Sequence, residues 1–210
     1  MTISTGTARA ITSHTPRGRP PIGRRPSPAL PRDLAASALV LGVASSAWFA
    51  WGSTGAPALR PWFLAGILAG LALAATALLL RRRLPGTGSH RGPRRAAVQR
   101  TYRRTLAAEI ALIVAGNVVL NLTGRPEYVI CWTYAVMSAH FLPLARLYEI
   151  RALRLTALAG IVIAIGGVGL GITTTGSPIA VTGGAGALAL LVSGAVQLRE
   201  ARIAGAQIDG

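Results

Sequence analysis

Six long runs of apolar residues dominate this chain of 210 residues. A helix needs about 20 mainly apolar residues to cross the hydrocarbon layer of a membrane. Because lipid offers the backbone no hydrogen-bonding partner, a run of this length crosses the membrane as a helix. The sequence therefore predicts an all-α, polytopic membrane protein that forms a bundle of six transmembrane helices. The predicted spans are residues 34–52, 61–80, 105–123, 128–145, 155–174 and 178–198.

The overall composition excludes a soluble alternative. Apolar residues make up 51% of the chain and charged residues only 13%, whereas a soluble domain carries roughly a quarter charged residues. The chain has too few charged side chains to cover a core of that size in water. The lipid bilayer is therefore the first predicted partner.

The charges are distributed unevenly, with 22 arginines, no lysine and six acidic residues. Cytoplasmic loops of membrane proteins carry the excess of basic residues. If both termini are cytoplasmic, twenty arginines lie inside and two outside, which predicts an N-in, C-in protein of the plasma membrane. The same asymmetry accounts for the net charge of +16, so we do not expect nucleic-acid binding. The predicted inside segments are 1–33, 81–104, 146–154 and 199–210.

These inside segments complete the predicted domain organisation. Residues 1–33 are rich in arginine and proline, bury too little apolar surface to order themselves, and are predicted to be disordered. Residues 34–198 form the six-helix domain, and its basic loop 81–104 is expected to contact anionic headgroups. Helix three is expected to begin before the membrane, near residue 96. Residues 199–210 are predicted to be a cytoplasmic tail.

The third span carries the polar residues that most need an explanation. Glu109 is a carboxylate inside an apolar run, and such a residue is costly in lipid and typical of a functional site. Asn117 and Asn121 fit on the same side of the helix. That side is predicted to face the bundle or a cavity rather than lipid. The alternatives are a shallow Glu109 that pairs with headgroups or Arg103, and asparagines that serve only as hydrogen-bonding contacts between helices.

The fourth span supplies a candidate partner for Glu109. The loop of residues 124–127 is short, so spans three and four are antiparallel neighbours, and counting outward from it places His140 within one helical turn of Glu109 in depth. We therefore predict that the two side chains meet, as a proton relay, a ligand clamp or a structural bridge. Pro143 is predicted to kink the helix beside them.

Small residues recur at four-residue spacing on several spans. Gly66 and Gly70 lie on the second span, and Gly167 and Gly171 on the fifth. Such faces allow helices to approach closely. They favour packing within one chain, with homo-oligomerisation as the alternative.

Sequence motifs for catalysis and cofactor binding are missing. The chain contains no phosphate-binding loop, no zinc-protease motif, no nucleophile elbow and no acidic metal cluster. A single cysteine, Cys131, excludes an internal disulfide and a cysteine-based metal site. We therefore expect neither an enzyme nor a cofactor or metal.

One short string carries a resemblance. The sequence His-Phe-Leu-Pro-Leu-Ala, at His140 to Ala145, resembles a motif of uncharacterised bacterial multi-pass membrane proteins. The composition, rich in arginine, glycine and alanine, resembles that of high-GC actinobacterial proteins. The resemblance implies a small family of unknown function, and it marks His140 and Pro143 as positions to test.

Two functions are compatible with these patterns. The first is transport of a small solute, perhaps linked to protons, through a polar site between spans three and four formed by Glu109, Asn117, Asn121 and His140. The second is a non-transporting structural or regulatory subunit that binds a membrane partner through its Gly/Ala faces.

Overall fold

The computed structural model describes residues 31–84, 93–148, 151–174 and 176–209, and nearly all of them are helical. Within these ranges no strand occurs, and six helices are long and apolar enough to cross a membrane. The all-α class and the six helices of membrane-spanning length are therefore confirmed. The helices are α1 (Pro31–Gly52), α2 (Arg60–Arg83), α3 (Pro93–Leu122), α4 (Val129–Tyr148), α5 (Arg151–Thr173) and α6 (Pro178–Asp209).

Several helices extend beyond the predicted boundaries. Helix α3 begins at Pro93 and α6 continues to Asp209, so the predicted tail from 199 onward is helical as far as residue 209. Hydropathy marks the length that crosses lipid, whereas arginine and alanine continue a helix well beyond it. Residues 31–33, predicted to be disordered, form the first turn of α1, where Pro31 takes a favourable first position. Residues 1–30 lie outside the described part.

Consecutive helices run antiparallel. Helices α1 and α6 pair in opposite directions, since Gly52 meets Gly183 while Ala38 lies beside Gly194. One end of the bundle therefore holds the starts of α1, α3 and α5 and the ends of the other three helices. All the described arginines except Arg60 and Arg125 belong to helix segments near this end. We call it the arginine-rich end.

Small residues set the close approach of α1 to its neighbours. A Cβ atom at Gly42 would lie 2.8 Å from the carbonyl oxygen of Gly70 on α2. The hydroxyl of Ser46 donates to the carbonyl of Ile67 on α2 at 3.0 Å. The predicted glycine faces are thus used for packing within the chain, as helices without a hydrophobic driving force between them require.

The core of the bundle lies among α1, α4, α5 and α6. Trp48 and Tyr134 meet edge to face, with ring centroids 4.7 Å apart, and the Tyr134 hydroxyl donates to the carbonyl of Gly186 at 2.8 Å. The hydroxyls of Thr156 and Ser193 join α5 to α6 at 2.6 Å. Polar groups in lipid need such partners, and these contacts provide them.

Helices α2 and α3 flank this core on different sides. Helix α2 packs against α1 and α6, whereas α3 packs mainly against α4. The exposed side of α3 is apolar, as a lipid-facing side should be. Its exposed residues include Ile110, Leu112, Val114 and Val118. Because α3 packs mainly against α4, a space remains between this pair and α1.

Candidate functional site

Glu109 and His140 meet between α3 and α4, as predicted. The Nδ1 atom of His140 lies 3.1 Å from Oε2 of Glu109, and both side chains are nearly buried, at 13% and 10% exposure. The atoms are at ion-pair distance, although their alignment is not that of a straight hydrogen bond. The ionic partner that the structure gives Glu109 is thus a histidine rather than Arg103.

The depth of this pair makes it costly. Glu109 belongs to a helix that is long and apolar enough to cross a membrane, and it lies five residues after Arg104, which corresponds to about 7.5 Å along the helix axis. A carboxylate or an imidazolium alone inside the hydrocarbon layer would be disfavoured. Each group lowers the cost of the other by supplying an opposite charge and a proton partner.

The two asparagines do not join the pair. The Oδ1 atom of Asn117 accepts a hydrogen bond from the Thr133 hydroxyl at 3.2 Å, two turns away from Glu109. Asn121 is exposed, and its amide donates to the backbone carbonyl of Asn117 at 2.7 Å. The expectation that Asn121 faces the bundle or a cavity is wrong, because the side chain is exposed and its amide bonds the preceding turn of its own helix.

Trp132 fastens α3 to α4 between these two polar contacts. Its indole N–H donates to the carbonyl of Leu112 at 2.9 Å. The indole lies directly against Gly116, where any side chain would occupy the same space. Three contacts along the two helices therefore join α3 to α4: the Glu109–His140 pair, Trp132 and the Asn117–Thr133 hydrogen bond. The Glu109–His140 pair lies nearest the arginine-rich end.

Pro143 lies inside α4, which continues past it to Tyr148. A proline at this position cannot donate to the carbonyl of Ala139, next to His140 in the chain. The local backbone around His140 thus has one helical hydrogen bond fewer. The predicted kink itself stays a prediction.

A cavity of about 310 Å³ lies beside His140, between α1 on one side and α3, α4 and α5 on the other. Its polar lining residues are Asp33, Ser37, Tyr102 and His140. Sequence analysis did not identify the first three. Asp33 and Tyr102 lie near the starts of the first and third helices, at the same end of the bundle. Their similar position along the bundle could have indicated that they lie close together.

The second ring nitrogen of His140 has no hydrogen-bonding partner among the described residues, and it is buried. The carboxylate of Glu109 next to Nδ1 favours a proton on Nδ1. In the neutral ring, Nε2 is then an acceptor that awaits a donor. The ring of Phe141 stacks on the imidazole with centroids 5.3 Å apart.

A further buried polar group lies on α6. Gln197 is fully buried, and its amide nitrogen and oxygen find no partner in the described part of the chain. It lies one turn from Ser193, which bonds Thr156. Sequence analysis missed it, because a single glutamine in an apolar helix does not indicate which side of the helix is buried.

A larger groove of about 530 Å³ lies between α4 and α5 nearer the opposite end. Its walls are almost entirely apolar, with Tyr128 and Cys131 among them. The Cys131 thiol is engaged with the Thr182 hydroxyl at 3.2 Å. This groove offers hydrocarbon surface and no group that could perform chemistry on a solute.

Among the described residues no group of three or more His, Cys, Asp or Glu side chains could hold a metal ion. No protein family, no curated protein and no solved structure matches this chain. The resemblance of the His140–Ala145 string to bacterial multi-pass membrane proteins stays a prediction.

Proposed function

We propose that this protein transports a small solute across the bacterial plasma membrane in a proton-linked cycle, with Glu109 and His140 as the proton-exchanging groups. The single observation that carries the proposal is their contact at 3.1 Å inside membrane-crossing helices. A carboxylate and an imidazole in contact share a proton whose position responds to charge nearby. Intramembrane pairs of this kind are typical of proton relays in pumps and transporters.

The cavity supports the same proposal. His140 contacts Glu109 on one side and also lines the cavity of about 310 Å³. A solute in that cavity would change the surroundings of the imidazole directly. The pair and the cavity thus provide both elements of a coupled cycle, a proton site and a solute site that share one residue.

The orientation belongs to the proposal as well. Both termini are cytoplasmic, so that the arginine-rich end faces the cytoplasm, in line with the positive-inside rule. Asp33 and Tyr102 then lie at the cytoplasmic side of the cavity, and the solute enters the cavity from the cytoplasm.

A second function, a structural or regulatory subunit, is favoured by one specific observation. Helix α3 packs mainly against α4 and leaves an apolar side exposed, which a membrane partner could cover. In that case the Glu109–His140 pair is a structural bridge. Loss of the pair would then weaken the fold without affecting any flux.

Transport assays in proteoliposomes distinguish the two functions. The purified chain is reconstituted with a trapped pH-sensitive dye, and proton movement is recorded when an alkylammonium, a carboxylate or a sugar is added. We expect one class to drive proton movement, and Glu109→Gln and His140→Ala to abolish it. Glu127→Gln, the same change at a half-buried position in a loop, is the matched control and should retain it.

The proposal would be overturned if none of the three solute classes moved protons in vesicles containing correctly folded protein. Full flux in both Glu109→Gln and His140→Ala would also overturn it, and the subunit function would stand.

A further inference from the structure

We propose that the cavity between α1 and α4 binds a small organic ammonium ion, held by Asp33 and His140. This inference rests on the proposed transport function and names the class of its solute. The charge of the lining, the aromatic rings in it and the unpartnered nitrogen of His140 each support it.

The charge of the lining is unusual for its place in the molecule. The arginine-rich end carries nearly all the described arginines, yet none of them lines the cavity. The acidic residue in the lining is Asp33, and the hydroxyls of Ser37 and Tyr102 belong to the same lining. Such a lining attracts a cation and repels an anion.

The shape of the lining suits an organic ion rather than a metal. The walls between the polar groups are apolar, whereas a metal ion would need a cage of several oxygen or nitrogen ligands. A space of about 310 Å³ lies at the lower end of the range for small-molecule sites. The apolar wall residues are Ala36, Val40, Leu41, Phe141, Leu144 and Leu153.

Two aromatic rings add to the attraction for a cation. Tyr102, which is exposed, and Phe141 both line the cavity, and the face of an aromatic ring attracts an ammonium group. The Phe141 ring is also stacked on the imidazole of His140. A ligand with an alkyl or aryl body and a charged nitrogen therefore fits both the walls and the rings.

His140 decides between a protonated amine and a quaternary ion. With the proton of the neutral ring on Nδ1 beside Glu109, Nε2 carries a lone pair and has no donor in the described structure. The atom itself is buried, and the residue that carries it lines the cavity. An ammonium ion with N–H bonds supplies that donor, and a quaternary ion does not. We therefore expect a primary ammonium ion to bind better than a quaternary one of similar size.

The ligand and a proton on His140 exclude each other. An imidazolium would place a positive charge beside the ammonium site. The ionisable groups around it are Glu109 and Tyr102 from α3 and Asp33 from α1. The lining residue from α5, Leu153, is apolar. Entry of the cation thus favours departure of the proton, which is the coupling that an exchange of amine for proton requires.

Binding of defined probes to the full chain in nanodiscs tests the inference. Calorimetry is performed with phenethylammonium, with the uncharged 2-phenylethanol, with the anion phenylacetate and with the quaternary trimethylphenylammonium. We expect saturable binding of phenethylammonium, and affinities lower by about tenfold or more for the other three probes. Asp33→Asn should weaken phenethylammonium binding by about tenfold or more, and Asp33→Glu, which keeps the charge, should restore much of it.

The control variant is Glu127→Gln, which removes a carboxylate outside the cavity and should bind as the natural chain does. Equal binding of phenylacetate and phenethylammonium would overturn the inference, as would unchanged affinity in Asp33→Asn. If Asp33→Asn fails to fold, filling the cavity with Ser37→Phe provides the same test, because it should abolish binding. Proton flux driven by a carboxylate or a sugar would leave the transport proposal intact while removing this one. Asp33-dependent binding of phenethylammonium without any proton flux would support this inference and overturn the transport proposal.

Discussion

The Nδ1 atom of His140 lies 3.1 Å from Oε2 of Glu109, so that a nearly buried acid of α3 and a nearly buried base of α4 are in contact within helices that are long and apolar enough to cross a membrane. Among the described ionic contacts, neither residue has another partner. The pair therefore anchors the two helices to each other.

The contribution of the Glu109–His140 contact to the free energy of unfolding should appear as a large coupling free energy between substitutions at the two positions. Glu109→Ala and His140→Ala should each destabilise the protein by about 3 kcal/mol, because each leaves its partner buried without compensation. The double variant should lose clearly less than the sum of the two, by at least about 1 kcal/mol. Unfolding by SDS in mixed micelles measures all three, and strict additivity would show that the contact contributes nothing.

The two asparagines of α3 should differ. Asn117→Ala removes the hydrogen bond from Thr133 and should cost about 0.6 kcal/mol, the usual size of such contacts between membrane helices. Asn121→Ala removes an exposed amide bonded to its own helix, so the free energy of unfolding should stay within about 0.5 kcal/mol of the original. The same unfolding assay decides, and a larger effect at 121 than at 117 would contradict the structure.

Gln197→Met should stabilise the protein. The change removes a buried amide without partners and keeps the volume of the side chain. Burial of an unpaired amide costs roughly 1–3 kcal/mol, and part of this should be recovered as a higher unfolding midpoint. Gln207→Met, on the same helix but at an exposed position, is the control and should have little effect. A lower midpoint for Gln197→Met would mean that water or another group bonds the amide.

Two glycines should respond in opposite ways to alanine. A Cβ atom at Gly42 would lie 2.8 Å from backbone atoms of α2, so Gly42→Ala should destabilise the bundle by about 1–3 kcal/mol through forced separation of the helices. Gly166 on α5 has open space around the corresponding position. Gly166→Ala should be neutral or slightly stabilising because alanine favours the helix. Equal effects at both sites would argue against the close contact of α1 with α2.

The proposed orientation can be tested by labelling single cysteines in intact cells. On a background without Cys131, a cysteine in place of Arg125 should react with a membrane-impermeant maleimide from outside. A cysteine in place of Gly88, in the arginine-rich loop, should react only after the cells are opened. Labelling of position 88 in intact cells would reverse the assignment.

Much of the architecture could be predicted because hydropathy reports directly on lipid. The number of helices and the meeting of Glu109 with His140 both follow from local counting, since a short loop fixes how α3 and α4 face each other. The cavity could not be found in this way. It brings together Asp33 on α1 and His140 on α4, which are far apart in the chain. No short loop joins these two helices, so the sequence does not indicate how they face each other.

The remaining differences have local causes. Asn121 could be placed on a side of its helix but not assigned a partner, because the exposed amide satisfies itself on the preceding turn. For Gln197, the sequence does not indicate on which side of the helix the residue lies. A helix that is apolar on all sides has no periodicity that shows which of its positions lies in the core.

The most extensive contact in the bundle joins α1 to α6, the first and last helices of the chain. The hydroxyl of Ser45 bonds the carbonyl of Ala187 across this contact at 2.9 Å. During synthesis α1 enters the membrane before α6 has been made, so Ser45 lacks its final hydrogen-bonding partner until then. Completion of the tertiary structure therefore follows the synthesis of α6. A chain truncated before residue 178 would insert five helices and yet leave the core of the bundle open.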